Sequence, residues 1–197
     1  MKNKYLEILN FLNFCEKLKS TLRHNWITGG RQESVAEHTW RMALLLILVK
    51  EEFELKINLE KALFIVIIHD ISEIIDGDTP GFRKNKENRQ KEAENLKKII
   101  RLIPQKSQPS FKNAFEEYEE QKTIEAKIVK VIDRLETQLQ HLNSGNKYWI
   151  EEELDEHMFN YPDKALANLN NKDLNTFWKT LKTELEKEVK KMNSNKN

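Results

Sequence analysis

Residues 62–73, Ala62-Leu63-Phe64-Ile65-Val66-Ile67-Ile68-His69-Asp70-Ile71-Ser72-Glu73, form an apolar run that ends in one imidazole and two carboxylates. Such groups are costly to bury unless they are paired, hydrogen-bonded or coordinated to a cation. The run is too short to span a bilayer, and its composition reads as a helix capped by Asn58 and continuing through Ile74. Asp76-Gly77-Asp78-Thr79-Pro80 ends it with turn residues. Glu73 follows His69 by four positions and Asp70 by three, so the three side chains share one end of that helix. Asp78 lies just beyond the turn, within reach of the same place. Imidazole nitrogen with carboxylate oxygen suits manganese, cobalt, iron or zinc.

Outward from this run the chain reads as all-α. It has only five glycines and four prolines among 197 residues, and Leu, Glu, Lys and Ile dominate. A first helix is expected from Lys4 to Lys19, with Leu6, Leu9, Phe14 and Leu18 near helical spacing, followed by a loop at Gly29-Gly30 that holds Arg23 and Trp26. Ser34 with Glu37 forms a capping-box pattern for a helix reaching Phe53, which puts His38 in its first turns. Lys84 to Lys98 reads as a solvated charged helix ending before Pro104. Ile124, Ile128, Val131, Leu135, Leu139 and Leu142 form a helical stripe that stops at Asn143-Ser144-Gly145 and carries Asp133 in its middle. Two packing helices follow, at Trp149 to Met158 and Asp173 to Met192.

Composition bounds the function. Thirty-three basic residues against 32 acidic ones leave a net charge of +1, so no global field draws the protein to nucleic acid or to anionic lipid. Any bound phosphate must be held locally. The lone Cys15 cannot form an internal disulfide, and residues Met1 to Asn10 lack the layout of a secretory signal, which makes a cytoplasmic location the expectation. One domain is expected over residues 1–192, with a polar tail at 193–197.

Taken alone, His38 reads as a core histidine on the stripe Val35, Met42, Leu45 and Val49, and Asp133 as a surface carboxylate paired with Lys130 or Arg134. The ordered set His38, His69-Asp70 and Asp133, each on its own helix, resembles the H…HD…D signature of the HD-domain phosphohydrolases and reverses both readings. Further stretches resemble the branch that holds the bacterial 5′-deoxynucleotidases and their eukaryotic relatives. These are Leu18-Lys19 with Arg23 and Trp26, Arg31 to His38, His69 to Glu73, Gly77 to Pro80, Glu117 to Glu119, Glu125 to Lys127 and Asp133 to Glu136. The resemblance covers roughly residues 18 to 145.

The resemblance implies a single-domain helical HD fold in which His38, His69, Asp70 and Asp133 hold one divalent metal and Glu73 and Asp78 line the catalytic pocket. It further implies removal of the 5′-phosphate from a (deoxy)ribonucleoside monophosphate, giving nucleoside and orthophosphate. A carboxylate beside the metal orients or deprotonates the nucleophile, and Glu73 is the first choice. Arg23 is a candidate phosphate clamp, or else a surface charge; Trp26 is a candidate sugar or base wall, or else a buried aromatic. Bacterial members often place arginine directly before the tryptophan, where Asn25 stands here, so Arg23 matches the eukaryotic pattern.

Two other functions compete. One is hydrolysis of another phosphoester such as a signalling nucleotide. The other is a non-catalytic helical module that associates through the stripe Leu174 to Val189 and keeps the metal as a staple. The expected partners are a small nucleotide and, as the helical faces permit, a second copy of the chain, with neither nucleic acid nor membrane.

Overall fold

The computed structural model describes residues 3–83, 85–154 and 159–194. Helix α1 (Lys4–Cys15) is capped by the Asn3 side chain and tightens into a 3₁₀ turn at Glu16–Lys19. Its apolar residues do not all face inward. Phe11 is buried, whereas Leu6 and Leu9, expected on the core side, are exposed together with Tyr5, Ile8 and Leu12.

The segment expected as a loop is a hairpin. Strand β1 (Leu22–Trp26) pairs antiparallel with β2 (Gln32–Ser34), so Arg23 and Trp26 sit on a strand. Gly30 closes the turn with φ +79°, and a Cβ there would lie 2.9 Å from the Tyr148 hydroxyl. Both the backbone angle and the close approach require glycine.

Strand β2 leads directly into α2 (Val35–Glu52). The Ser34 hydroxyl accepts from the Glu37 backbone N–H at 3.3 Å, and the Glu37 carboxylate accepts from the Ser34 backbone N–H at 2.9 Å. This reciprocal cap fixes the first turn and leaves His38 buried one turn in.

Helix α3 (Leu59–Ile68) is capped by Asn58 as expected but ends at Ile68, before His69 and not after Ile74. Residues 69–72 form tight turns, in which Ile71 N–H donates to the Ile68 carbonyl and Glu73 N–H to the Asp70 carbonyl. Glu73 opens a separate short helix, α4 (Glu73–Asp76), so the expectation of one continuous helix is corrected. Helix α5 (Lys86–Leu102) runs past the expected Lys98, and α6 (Gln108–Glu120) was not foreseen as an element.

The central element is α7 (Ile124–Ser144), capped by Thr123. It packs against α2, α3, α6, β1 and two later helices, α9 (Asp163–Leu169) and α10 (Lys172–Ser194). Between them lie a 3₁₀ turn at Asn146–Tyr148 and α8 (Glu151–Leu154). The expected end of the Trp149 helix at Met158, and the tail beyond residue 194, fall outside the described residues.

The architecture is all-α apart from the hairpin, with one contiguous core that includes Met42, Leu46, Ile65, Ile68, Ile132, Leu135, Leu174 and Leu185. On α10, Leu174, Trp178, Leu181 and Leu185 are buried in this core. That stripe is therefore occupied within the chain and is not free for the association considered above. Among the described residues no helix is long and apolar enough to cross a membrane.

Candidate active site

The second half of α7 carries an uncommon load for a central helix: Glu136, Thr137, Gln138, Gln140, His141 and Ser144 are all buried. Buried polar groups need partners, and this face finds them in the N-terminus of α2, the α3–α4 turn and the hairpin. A cavity of about 240 Å³ opens there, lined by Arg23, His69, Asp70, Glu73, Asp78 and Asp133 among others.

On one wall His38, His69 and Asp133 bring their ligand atoms within 4.8 Å of one another. The His38 Nε2 lies 3.4 Å from Asp133 Oδ1 and 3.8 Å from Asp70 Oδ2, and the His69 Nε2 lies 2.9 Å from Asp70 Oδ2. Three separate pieces of chain meet here: the first turn of α2, the end of α3 and the middle of α7.

The other nitrogen of each ring decides what Nε2 can do. His38 Nδ1 is held by the buried Glu136 carboxylate, and His69 Nδ1 donates to the Val66 carbonyl at 2.8 Å. Both Nδ1 atoms thus carry the proton, leaving a lone pair on each Nε2 when the ring is neutral. Neither Nε2 makes a well-formed hydrogen bond with a described residue, although both are buried. Two imidazole nitrogens gathered with the Asp133 carboxylate, and with Asp70 beside both rings, fit a divalent cation.

The electrostatics agree. Burial opposes ionisation of Asp70 and Asp133, yet His69 beside the first, and Lys130 with His38 beside the second, hold both carboxyls below the usual range. Lys130 Nζ donates to Asp133 Oδ2 at 3.1 Å and to the Tyr118 hydroxyl at 2.7 Å, and that hydroxyl donates to the same Asp133 oxygen at 3.0 Å. His38 is buried near Arg23, which disfavours its charge, but Glu136 and Asp133 outweigh both and push its pKa up to about 9.

Arg23 is buried, with Nε 3.2 Å from Glu33, Nη1 3.8 Å from Asp70 and Nη2 donating to the Thr137 hydroxyl at 3.2 Å. Burial works against its charge, but Asp78, Glu33, Glu136 and Asp70 more than compensate. It is therefore a fixed cation at the cavity wall and not a surface charge. Glu73 is buried at the start of α4 and lines the cavity with Asp78, whose carboxylate lies 3.8 Å from His24 Nδ1.

Trp26 does not join this group. Its ring stacks on Tyr148 at 4.6 Å between centroids and 7° between planes, and it is not among the residues lining the cavity. The hairpin seats the indole on the 146–148 turn, a placement that the loop expectation could not anticipate.

Several groups escaped the sequence reading. Glu136 fixes His38 and also accepts from Arg41 Nε at 2.6 Å. The carboxyl of Glu33, buried and near Glu136, is pushed up to about 7. On the cavity lining, His24 Nε2 lies 2.8 Å from Glu153 Oε1, with His141 Nε2 3.8 Å from the same oxygen. For the groups on α7 the available signal was the polar row 133, 136, 137, 140, 141 and 144, set at helical spacing beside the apolar stripe.

Comparison with known proteins supplies context for this geometry. The HD domain family matches residues 15–172. The chain is 34% identical over 137 residues to human 5′-deoxynucleotidase HDDC2, an alignment covering 68% of this chain and 66% of the human protein. It thus spans just under two thirds of that relative. It is 36% identical over 159 residues to the 5′-deoxynucleotidase hdd1 of Schizosaccharomyces pombe, covering 77% of this chain and 79% of the yeast protein. Among solved structures it resembles a predicted metal-dependent phosphohydrolase of Magnetospirillum magnetotacticum, with TM-score 0.77, 24% identity, and coverage of 95% and 93% of the two chains. A conserved hypothetical protein of Pyrococcus furiosus aligns with TM-score 0.60 and 29% identity over 91% of this chain and 99% of that one.

Proposed function

We propose that this chain, which belongs to the HD-domain family, is a metal-dependent phosphohydrolase that removes the 5′-phosphate from (deoxy)ribonucleoside monophosphates. The observation that carries this reading is the pair of buried Nε2 lone pairs of His38 and His69, aimed with Asp70 and Asp133 at one wall of a cavity that also holds Arg23 and Glu73. The names of the human and fission-yeast relatives supply the substrate class.

In this proposal His38, His69, Asp70 and Asp133 hold one divalent transition metal, of the manganese, cobalt, iron or zinc kind. When bound, such an ion lowers the pKa of water and polarises a phosphoryl oxygen. The residues do the rest. Arg23, held charged by the carboxylates around it, presents a guanidinium that a phosphate oxygen can engage. Glu73 orients the attacking water and accepts its proton. Asp78 steadies His24 and bounds the cavity where the sugar enters. Trp26 stacks on Tyr148 and does not line the cavity, so it is left out of the proposed site.

A cytoplasmic location accords with the single, partly buried Cys15. A homodimer is the finer reading of the exposed stripe Trp40, Leu44, Ile47 and Leu48 on α2. Paired Leu44→Glu and Leu48→Glu substitutions should yield a monomer in analytical ultracentrifugation, and a native protein that already sediments as a monomer excludes the dimer.

A panel of nucleoside 5′-monophosphates offered to the metal-reconstituted protein, with orthophosphate as readout, tests the activity. Release from deoxynucleotides is expected, and silence across the panel removes the proposal.

A further inference from the structure

The cavity is also lined by a second imidazole pair whose geometry repeats the first. His38 and His69 have ring centroids 5.7 Å apart and planes inclined at 54°. His24 and His141 have centroids 5.7 Å apart and planes inclined at 53°. Each pair shares a carboxylate. Around the first, donor separations run from 2.9 to 3.8 Å. Around the second, Glu153 Oε1 lies 2.8 Å from His24 Nε2 and 3.8 Å from His141 Nε2. The three ligand atoms fall within 4.8 Å of one another, as they do in the first cluster.

We infer that His24, His141 and Glu153 form a second divalent cation site, distinct from the H…HD…D ligand set and lining the same cavity. Donors bound tetrahedrally at about 2.0–2.2 Å stand roughly 3.3–3.5 Å apart, and the two separations from Glu153 Oε1, 2.8 and 3.8 Å, lie on either side of that spacing.

Second-sphere support also repeats. As the Glu136 carboxylate lies behind His38 Nδ1, the Asp78 carboxylate lies on the Nδ1 side of His24, at the longer distance of 3.8 Å. The Asn25 amide nitrogen lies 3.4 Å from His141 Nε2 and competes for that atom. It also reaches the Thr137 carbonyl at 3.4 Å and can keep that contact when a cation takes the imidazole.

The sequence hides this set because its members come from unrelated places: His24 from β1, His141 from the last turns of α7, and Glu153 from α8. All three line the cavity, so three protein donors leave a coordination position open to it, as in catalytic rather than closed structural sites. An oxygen of a bound ligand would complete it. Only that last point rests on the proposed nucleotide substrate; the cation site does not.

The test is titration of the metal-free full-length protein with Co²⁺, followed by visible d–d absorption and by metal content after desalting. The native protein should take two equivalents. Asp133→Ala should retain the one at His24, His141 and Glu153, and His24→Ala and His141→Gln should each retain only the one at the first cluster. Thermal melting by circular dichroism identifies any variant that fails to fold. Because His24 lies on a partly exposed strand position, His24→Ala keeps the test decisive if the buried His141→Gln variant unfolds.

One equivalent in the native protein, lost in Asp133→Ala, would overturn the second site while leaving the first intact. It would reduce the cluster to a His24–Glu153 ion pair beside a buried imidazole. Two equivalents that survive both histidine substitutions would overturn it equally. If Asp133→Ala keeps both while His24→Ala loses one, the second site stands and the assignment of the first fails.

Discussion

His38 shows how one side chain is set for its role. Its Nδ1 faces the Glu136 carboxylate, its Nε2 faces Asp133 and Asp70, and its ring is fully buried. Replacing Glu136 with glutamine removes the charge that holds the ring while keeping the shape. Metal affinity should fall by about 10- to 100-fold, the usual effect of losing a carboxylate behind a ligating histidine. Calorimetric titration of folded protein checks this, and unchanged affinity would make Glu136 a packing residue.

The same carboxylates give His38 its pH dependence. The folded-state pKa is raised from the ordinary 6.5 to about 9, so in metal-free protein a proton occupies the ring at neutral pH. That proton stabilises the metal-free fold fully below pH 6.5, a contribution lost as pH rises through about 9. A metal must displace it, so apparent affinity should climb by about tenfold per pH unit toward pH 9 and then level. Titrations in buffers of differing ionisation enthalpy should show close to one proton released per metal at pH 7. Affinity that is flat across this range would show that His38 does not ligate.

At the scale of elements, the starts of helices were more legible than their ends. Asn58 and Ser34 cap where the sequence places them, because a short polar side chain satisfies the first N–H groups locally. The end of α3 was illegible. Nothing in Ile71-Ser72-Glu73-Ile74-Ile75 breaks a helix by propensity, and the break comes from the tight turns that bring Asp70 and Glu73 into the cavity. The hairpin was hidden for a related reason: Leu22-Arg23-His24-Asn25-Trp26 lacks apolar alternation, since its buried positions, Arg23 and Asn25, are polar groups of the site.

The cap at Ser34 has a consequence for the site. Ser34→Ala removes the acceptor for the Glu37 N–H and should cost about 1 kcal/mol, a fall in melting temperature of roughly 2–4 °C for a chain of this size. The cap sits four residues before His38, so metal affinity should weaken in parallel. A scanning calorimetry trace unchanged in position would show that the first turn of α2 is held by tertiary packing alone.

At the scale of the whole molecule, α7 joins fold and chemistry. Its apolar stripe, readable from Ile128 to Leu135, anchors the core, while Asp133, Glu136, Thr137 and His141 turn toward the cavity. The gathering of His38, His69, Asp70 and Asp133 at one cavity wall was legible because a short motif fixes residue types in chain order. The Lys130–Asp133 pair was legible too, at i,i+3 on one helix; Glu136, Tyr118 and the His24–His141–Glu153 cluster were not, because each becomes meaningful only through a contact between distant segments. Glu73, which lines the same cavity as His69, Asp70 and Asp133 but is not grouped with the candidate ligand atoms, separates chemistry from binding. Glu73→Ala should keep its metal and its fold yet lose about 10²- to 10⁴-fold in turnover. A native rate in that variant would transfer the proton-accepting role to Asp78.

The central claim is that the ion held by His38, His69, Asp70 and Asp133 makes this chain a phosphohydrolase. The direct test is orthophosphate release from dAMP by metal-loaded native protein and by Asp133→Ala, with and without chelator. The account predicts steady release by the native protein, abolished by chelation, and none above background from the variant. Release by Asp133→Ala at the native rate, or native release indifferent to chelator, would contradict it.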